Sequence, residues 1–411
     1  MTLRVLLITQ WFDPEPTFKG LVFARELVRQ GFQVEVVTGF PNYPSGKVYP
    51  GYRIKLIQRE VIDGVEITRL PLYPNHNQSA IKRIANYLSF AASALIYSIF
   101  FAKKADVLYA YHPPLTVGIT ASLIRFFRGT PVVYDIQDMW PDTLRATGMV
   151  GNQRALKVVE SVCQWVYRQV DHIVVLSPGF QRLLVQRNVP ESKIEVIYNW
   201  ADEAALATPK GTLPVSFPAA DRFRILFAGN MGKAQALDSV LDAAVLLQAR
   251  GSQVCFVLLG GGVDLERLNR RAISLELENV VFLPAVPMAE VGTMLNAADA
   301  LLVHLRKDPL FEITIPSKTQ AYMAAGKALL MAVDGDAAEL VRVCGGGVIA
   351  QSEDSESIAN TAEKLLQMNA ADRELMGQMA RRYYEQQLAL PIGVARFAAI
   401  FKKLGNKNDF A

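Results

Sequence analysis

Cysteine is scarce in this chain, with three residues in 411: Cys163, Cys255 and Cys344. Their count is odd, their spacing wide, and no CxxC occurs, which excludes a disulfide framework or a cysteine zinc site and leaves reduced cytosolic thiols. Histidine is almost as rare: His76, His112, His172 and His304 stand far apart and share no metal-ligand spacing. His76 and His112 lie in proline-flanked loops from which a cleft is within reach, although a packed or surface histidine is the plainer reading for each. HExxH, GxxxxGK[ST] and GxSxG are all missing, so the zinc protease, P-loop and serine-hydrolase signatures do not apply. Glycine and proline are not enriched, which speaks against disorder. The charge excess is small, +4 with pI about 8.8. It makes no case for nucleic acid, but unevenly spread it would favour an anionic substrate or an anionic membrane surface.

What is present is apolar and periodic. Hydrophobic residues make up 51% of the chain, enough for two cores at this length. The opening MTLRVLLITQWF reads as a buried first strand rather than a signal peptide, since no small-residue cleavage site follows. Strands are predicted at Val5–Thr9, Val34–Thr38, Val107–Tyr111, Val132–Asp135, Ile173–Leu176 and Ile194–Tyr198, with a helix at Leu21–Gln30 between the first two. Short apolar strands alternating with helices imply a parallel sheet covered on both faces. Residues 201–220, rich in Ala and Pro without periodicity, read as a linker. A second series follows, with strands at Ile225–Ala228, Val254–Leu259, Val280–Leu283, Ala300–Leu305 and Ala328–Val333 and helices at Leu237–Arg250, Leu265–Leu275 and Pro316–Ala325. The expected fold is therefore α/β with two Rossmann-like doubly wound domains, 1–200 and 201–390, facing across a cleft that collects the carboxyl ends of the strands. A helical, basic stretch within 391–411 is placed to pack back on the first domain.

Ile84–Ala102 is a run of 19 apolar and small residues between Lys82-Arg83 and Lys103-Lys104. It barely reaches bilayer length and is diluted by Asn86, Ser89, Ser93 and Ser98. A transmembrane span, a buried crossover helix and a helix dipping one face into a bilayer interface all stand open, the last best served by the basic flanks.

Chemistry-bearing residues gather at the predicted strand ends. Phe12 to Gly20 joins the first strand to the first helix, where helix N–H groups favour anions and Gly20 permits close backbone approach, though an ordinary loop would look the same. Tyr134 to Asp142 brings three carboxylates, an amide and Trp140 together, a mixture suited to a hydroxyl-rich ligand, with Asp138 the preferred polar contact; a capped helix with a packed Trp140 is the alternative. Gly229-Asn-Met-Gly232 with Lys233 and Gln235 fits a diphosphate better than a free hydroxyl, or else is a plain glycine turn. Gly260-Gly-Gly262 implies a backbone pressed against a ligand or another backbone. Pro316-Ser-Lys318 opens a helix with a hydroxyl and a cation, and Glu312 just upstream suits sugar hydroxyls; a capped helix with a solvated lysine is the bland version.

Taken in order, Phe12-Asp-Pro-Glu15, Pro41-Asn-Tyr-Pro44 with Gly51-Tyr-Arg53, Tyr87-Leu-Ser-Phe90, Asp138-Met-Trp-Pro-Asp142, Asn199-Trp200, Gly229-Asn-Met-Gly232 with Gln235, and Ile315-Pro-Ser-Lys318 with Tyr322-Met-Ala-Ala-Gly326 resemble glycosyltransferase family 4, the retaining GT-B enzymes. Within that family they are most similar to O-antigen and capsule transferases of the N-acetyl-L-fucosamine type. The resemblance implies an acceptor-binding domain at 1–200, a nucleotide-sugar domain at 201–390, and no required metal or other cofactor. It implies transfer of a sugar, by the closest likeness an N-acetylated deoxy-hexosamine, from a UDP-sugar to a polyprenyl-diphosphate-linked acceptor at the cytoplasmic face of the membrane. Carried over residue by residue, Asp138, Lys233, Lys318 and Glu312 take catalytic positions. Gly229, Asn230, Gly232, Gln235, Gly261, Val286, Ser317 and Gln320 take donor positions, and Glu15, Lys19, Gly20 and Trp140 acceptor positions. The chain departs from the pattern where many members set an Arg and a Lys against the diphosphate (Asn230 and Gln235 here), a ribose-holding Glu (Ala321, beside Gln320) and a histidine after the fourth strand (Gln137). Front-face transfer, in which the leaving phosphate takes the acceptor's proton, is the expected mechanism. A two-domain UDP-sugar epimerase or hydrolase and a non-catalytic membrane-associated binding subunit are the competing classes.

Overall fold

In the computed structural model the described residues are 2–75, 80–207 and 211–406, so His76 lies outside them. The chain forms two compact units, Met1–Tyr198 with Pro391–Ala411, and Asn199–Leu390.

The first unit is built on β1 (Arg4–Ile8), β2 (Gln33–Gly39), β3 (Gln58–Ile62), β4 (Val65–Leu70), β5 (Val107–Tyr111), β6 (Val132–Ile136), β7 (His172–Val175) and β8 (Ile194–Val196). Among the described residues they form one sheet in the order β3-β4-β2-β1-β5-β6-β7-β8. All neighbours are parallel except β3 and β4, a hairpin closed by Asp63-Gly64, both at positive φ (50° and 82°), as such a two-residue turn requires. β5 and β6 are buried from end to end, which explains their unbroken apolar sequences. The chain moves outward from β1 and returns to β5, so the reversal of strand order falls between those two strands. Ligands of doubly wound sheets bind at that point, outside the carboxyl ends.

Helix Ala80–Phe100 lies over this sheet beside helix Leu115–Arg128. It buries Asn86, Phe90, Ala94 and Tyr97, one stripe at helical spacing, and leaves Ile81, Ile84, Leu88, Ile96 and Phe100 exposed on the opposite side. No helix among the described residues is long and apolar enough to cross a membrane. The transmembrane alternative for 84–102 therefore falls: half of the helix is committed to the protein core. Helix Leu390–Gly405 packs on the first unit through Phe397, 5.2 Å from Phe23 and 5.5 Å from Tyr109, and Phe401, 6.1 Å from Phe32 (ring centroids).

The second unit carries β9 (Phe223–Asn230), β10 (Val254–Gly261), β11 (Val280–Leu283), β12 (Ala300–His304), β13 (Leu329–Ala332) and β14 (Gly347–Ala350), all parallel, in the order β11-β10-β9-β12-β13-β14. Its reversal falls between β9 and β12. Within residues 201–220, Glu203–Ala207 is helical and Phe217 is buried, so part of the expected linker is packed structure. Glu203 accepts bonds from the Tyr384 hydroxyl and the Leu390 N–H, both at 2.8 Å, tying the start of this unit to its end.

Candidate active site

At the carboxyl end of β9 the backbone itself is the main building material. β9 and β10 pair to their last residues, Gly229 against Gly260 and Asn230 against Gly261. A Cβ on Gly260 would lie 2.0 Å from the Gly229 carbonyl oxygen, and one on Gly262 would lie 2.3 Å from that of Met231. These glycines serve backbone–backbone contact, the second of the two possibilities their run allowed. Gly261 differs: a Cβ there meets nothing within 4 Å, so its surface is free to face a ligand.

Helix Ser317–Ala325 delivers Lys318 to the same place. Tyr322, one turn on, holds the helix to β9 by accepting the Ala228 N–H at 2.7 Å and donating to the Ala228 carbonyl at 3.2 Å. A Cβ on Gly229 would stand 3.5 Å from the Lys318 Nζ. That ammonium sits 3.5 Å above the centre of the Phe227 ring and has no hydrogen-bond partner. Burial pushes it down to about 7. A ring face returns about 2 kcal/mol to a desolvated cation, less than the several kcal/mol that burying an ion costs. The site therefore calls for an anion.

The surrounding donor residues fall into two groups. Asn230, Lys233, Ser317 and Glu312 are exposed, and Val286 is half-buried after β11. Gln235 is engaged locally, its side-chain oxygen accepting the Gly232 N–H at 3.1 Å to close the turn Lys233–Gln235. Gln320 is buried, and in the amide orientation that satisfies it the nitrogen donates to the carbonyls of Pro316 and Ser317 at 2.9 and 3.2 Å. That occupies it with the start of its own helix rather than with a ribose. In the sequence His304 carries no signal beyond its lack of metal spacing. It is fully buried, with Nδ1 2.6 Å from the Gln235 carbonyl and Nε2 2.9 Å from the Ser239 hydroxyl, and burial keeps it neutral down to about 4. It pins the glycine loop to β12.

In the first unit the loop after β1 is built from buried polar side chains. Asp13 accepts the Leu21 N–H at 2.6 Å, and a Cβ on Gly20 would lie 2.1 Å from the same carboxylate. The helix N-terminus expected to attract an anion is thus met by the chain's own Asp13. Glu15 is 2% exposed and accepts the N–H groups of Asn42 and Tyr43 at 2.7 Å each and of Phe12 at 3.3 Å; burial still pushes it up to about 7. Lys19 is fully buried, pushed down to about 8 by burial with the Asp135 charge opposing, and its Nζ lies 5.4 Å from the Phe397 ring centre. Asp135 accepts the Tyr109 hydroxyl at 2.6 Å and the Gln137 amide at 2.5 Å. Glu15, Lys19 and Gly20 accordingly shape the loop from inside, because each faces protein rather than solvent.

Asp138 and Trp140 lie differently. Both are half-buried. The Asp138 carboxylate has no hydrogen-bond or cation partner among the described residues, and burial pushes it up to about 6; its main-chain carbonyl accepts the Trp140 N–H at 3.1 Å. Trp140 meets the buried His112 ring edge-on at 5.5 Å, and Arg187 donates to its carbonyl at 3.3 Å while pairing with Asp142. Burial lowers His112 to about 3, so its ring is neutral.

Two doubly wound units, each with loops gathered where its strand order reverses, are the architecture of the GT-B fold. Residues 21–200 match the family described as "Glycosyl transferase 4-like domain" and residues 214–383 match "Glycosyl transferases group 1". The chain is 26% identical over 337 residues to the putative colanic acid biosynthesis glycosyl transferase WcaI of Escherichia coli K12, covering 79% of this chain and 82% of that one. It is 24% identical over 311 residues to the probable glycosyltransferase WbjE of Pseudomonas aeruginosa, covering 74% and 76%. In fold it is similar to sucrose-phosphate synthase from Thermosynechococcus elongatus (TM-score 0.74, 14% identity, 98% and 99% covered). It is also similar to Anabaena HepE solved in complex with UDP (TM-score 0.68, 16% identity, 98% and 100% covered). The chain belongs to the family 4 glycosyltransferases.

Proposed function

We propose that the protein moves a sugar, with retention and without a metal, from a UDP-sugar to a lipid-linked saccharide during assembly of a surface polysaccharide. The observation that carries this is Lys318, a buried ammonium with only a ring face beside it, placed where glycine strand ends leave backbone open. A diphosphate completes such a site: Lys318, the adjacent helix N-terminal N–H groups and the exposed Lys233 supply the charge that develops on it as the glycosidic bond loosens. The leaving phosphate then takes the proton of the acceptor hydroxyl, so no protein base is needed. Asp138 and Glu312 accept sugar hydroxyls, as positioning groups whose worth lies in orientation.

HepE was solved with UDP, and WcaI is named for colanic acid biosynthesis, which supports the nucleotide and the process. The N-acetylated deoxy-hexosamine rests on resemblance alone. An anionic membrane partner at the cytoplasmic face is supported by helix Ala80–Phe100, whose exposed stripe of Ile81, Ile84, Leu88, Ile96 and Phe100 continues in exposed Phe101, Phe126 and Phe127. Lys82, Lys103 and Lys104 rim it, all exposed.

The test is thermal stabilisation by UDP, GDP, ADP, TDP and NAD, each with and without EDTA. A shift of the melting temperature specific to UDP and indifferent to EDTA is expected. Stabilisation by NAD alone, or a UDP shift abolished by EDTA, rejects the proposal as stated.

A further inference from the structure

Four segments of the first unit are locked together by buried polar groups. Gln10 donates to Asn86 at 2.5 Å, and Asn86 donates to the Tyr73 carbonyl at 2.6 Å and to Asn42 at 3.4 Å. The Glu15 carboxylate holds Asn42 and Tyr43, and the Thr9 hydroxyl donates to the Trp11 carbonyl at 2.9 Å. Such a network is costly to bury unless every member is matched, and its effect is to fix positions. What it fixes is a set of aromatic faces. Trp11 lies 4.7 Å from Tyr43 at 33° and 6.5 Å from Tyr87 edge-on. All three are half-buried, so each keeps some exposed surface. Tyr49 donates to the Tyr43 carbonyl at 2.6 Å, fastening the loop from its far side.

The Asp138 charge is felt by two of these rings. Burial first, then the Asp138 charge, raises the Tyr43 phenol; for Tyr87 burial leads, Arg83 opposes it, and Tyr43 and Asp138 add to it. Arg83 lies one helical turn before Tyr87 and forms no ion pair with a described residue. A free carboxyl beside aromatic faces, with a free guanidinium at the rim, is a constellation the core does not need. Carbohydrate needs it: ring C–H faces stack on aromatics, hydroxyls donate to carboxylate, and an attached phosphate meets arginine.

We propose that Trp11, Tyr43, Tyr87 and Asp138 form the subsite for the acceptor's reacting sugar, with Arg83 reading the diphosphate that joins this sugar to its lipid. The diphosphate clause rests on the lipid-linked acceptor proposed above. The site differs from the acceptor residues expected from sequence, of which Glu15 is only the frame.

Saturation-transfer NMR on the full chain tests it, using the methyl glycosides of glucose, galactose, N-acetylglucosamine, N-acetylgalactosamine, fucose and rhamnose, and citronellyl-diphosphate N-acetylglucosamine. At least one glycoside binds saturably, and Tyr43→Ala, Trp11→Ala and Asp138→Asn each weaken it about tenfold or more. Tyr43→Phe and Tyr87→Phe retain binding, because the face and not the hydroxyl is used. Arg83→Ala weakens the diphosphate probe about tenfold and leaves the bare glycoside unchanged. Equal binding by wild type and the Ala and Asn variants, each checked for an unaltered melting temperature, overturns the subsite. UDP titration of the wild type separates the two proposals. A chain that binds UDP but none of the sugar probes refutes the subsite alone; a chain that binds glycosides but not UDP supports the subsite and refutes the donor proposal.

Discussion

The two units share a topology but solve the same problem with different material. In the second, glycines let strands β9 and β10 touch through their backbones, and the buried Lys318 ammonium has no counter-ion or hydrogen-bond partner among the described residues. In the first, a loop is held by carboxylates, amides and a buried lysine, and the half-buried Asp138 carboxylate has no cation partner among the described residues. The unmatched charge is positive where a diphosphate would sit and negative where hydroxyls would. It is these two unmatched charges that motivate the ligands proposed for each unit. Backbone cradles suit a ligand common to many enzymes, whereas side-chain cups suit one that differs between them.

The comparison breaks most readily at Gly260. Replacing it with Ala puts a Cβ 2.0 Å from a carbonyl oxygen at φ 138°, so β9 and β10 must part. We expect more than about 3 kcal/mol lost from the second unit's stability in urea unfolding. Gly261→Ala meets open space and should cost less than about 1 kcal/mol. Equal effects would show that the cradle is not rigid.

Next comes Lys318. Lys318→Met should lower turnover about 100-fold. Its folded pKa, about 7, lies below the ordinary 10.5, so the folded chain holds fewer protons than the unfolded chain between those values. Stability should therefore rise with pH across that window, and the Met variant should lack that rise. Binding of UDP at pH 8 should take up about one proton, since an anion restores the ammonium. Calorimetry in two buffers of different ionisation enthalpy measures this; no uptake would detach Lys318 from the diphosphate.

Asp138 carries the opposite sign. Its pKa is raised from 3.8 to about 6, so the folded chain keeps its proton longer and stability falls as pH climbs through that interval. Asp138→Asn should remove the slope in pH-dependent melting. Transfer activity should rise by about tenfold through pH 6 in the wild type, as the carboxylate forms, and be flat there in the variant.

Much of this was legible in the sequence because strand periodicity and strand-end motifs are local. The apolar runs of β1, β5, β6, β9 and β10 mark parallel strands, and Gly229 and Lys318 stand out by residue type. The β3–β4 hairpin was missed although Asp63-Gly64 carried a usable turn signal. Glu15 and Lys19 were expected at acceptor positions from the family resemblance; that their side chains are buried depends on Asn42, Tyr43 and Asp135, residues far away in sequence. The Trp11, Tyr43 and Tyr87 faces come from three separate segments, a proximity that no local pattern encodes.

The smallest effect concerns the outer face of helix Ala80–Phe100, which lies on the side-chain-built unit alone. Its inner stripe is fixed by Asn86, Phe90, Ala94 and Tyr97, so outer substitutions leave the core intact. Leu88 and Ile96 are 54% and 55% exposed, about two turns apart on the outer face. Replacing either with Glu removes an apolar side chain from the bilayer boundary and adds repulsion from anionic head groups, and should weaken binding to phosphatidylglycerol-containing vesicles about tenfold. Lys104→Gln should weaken it only about fivefold, by the roughly 1 kcal/mol a single surface charge contributes. UDP binding provides the internal control, since the nucleotide is proposed to bind the other unit. If vesicle binding is unchanged in Leu88→Glu and Ile96→Glu, the apolar stripe faces something other than lipid. If only Lys104→Gln matters, attachment is electrostatic and the stripe does not enter the bilayer.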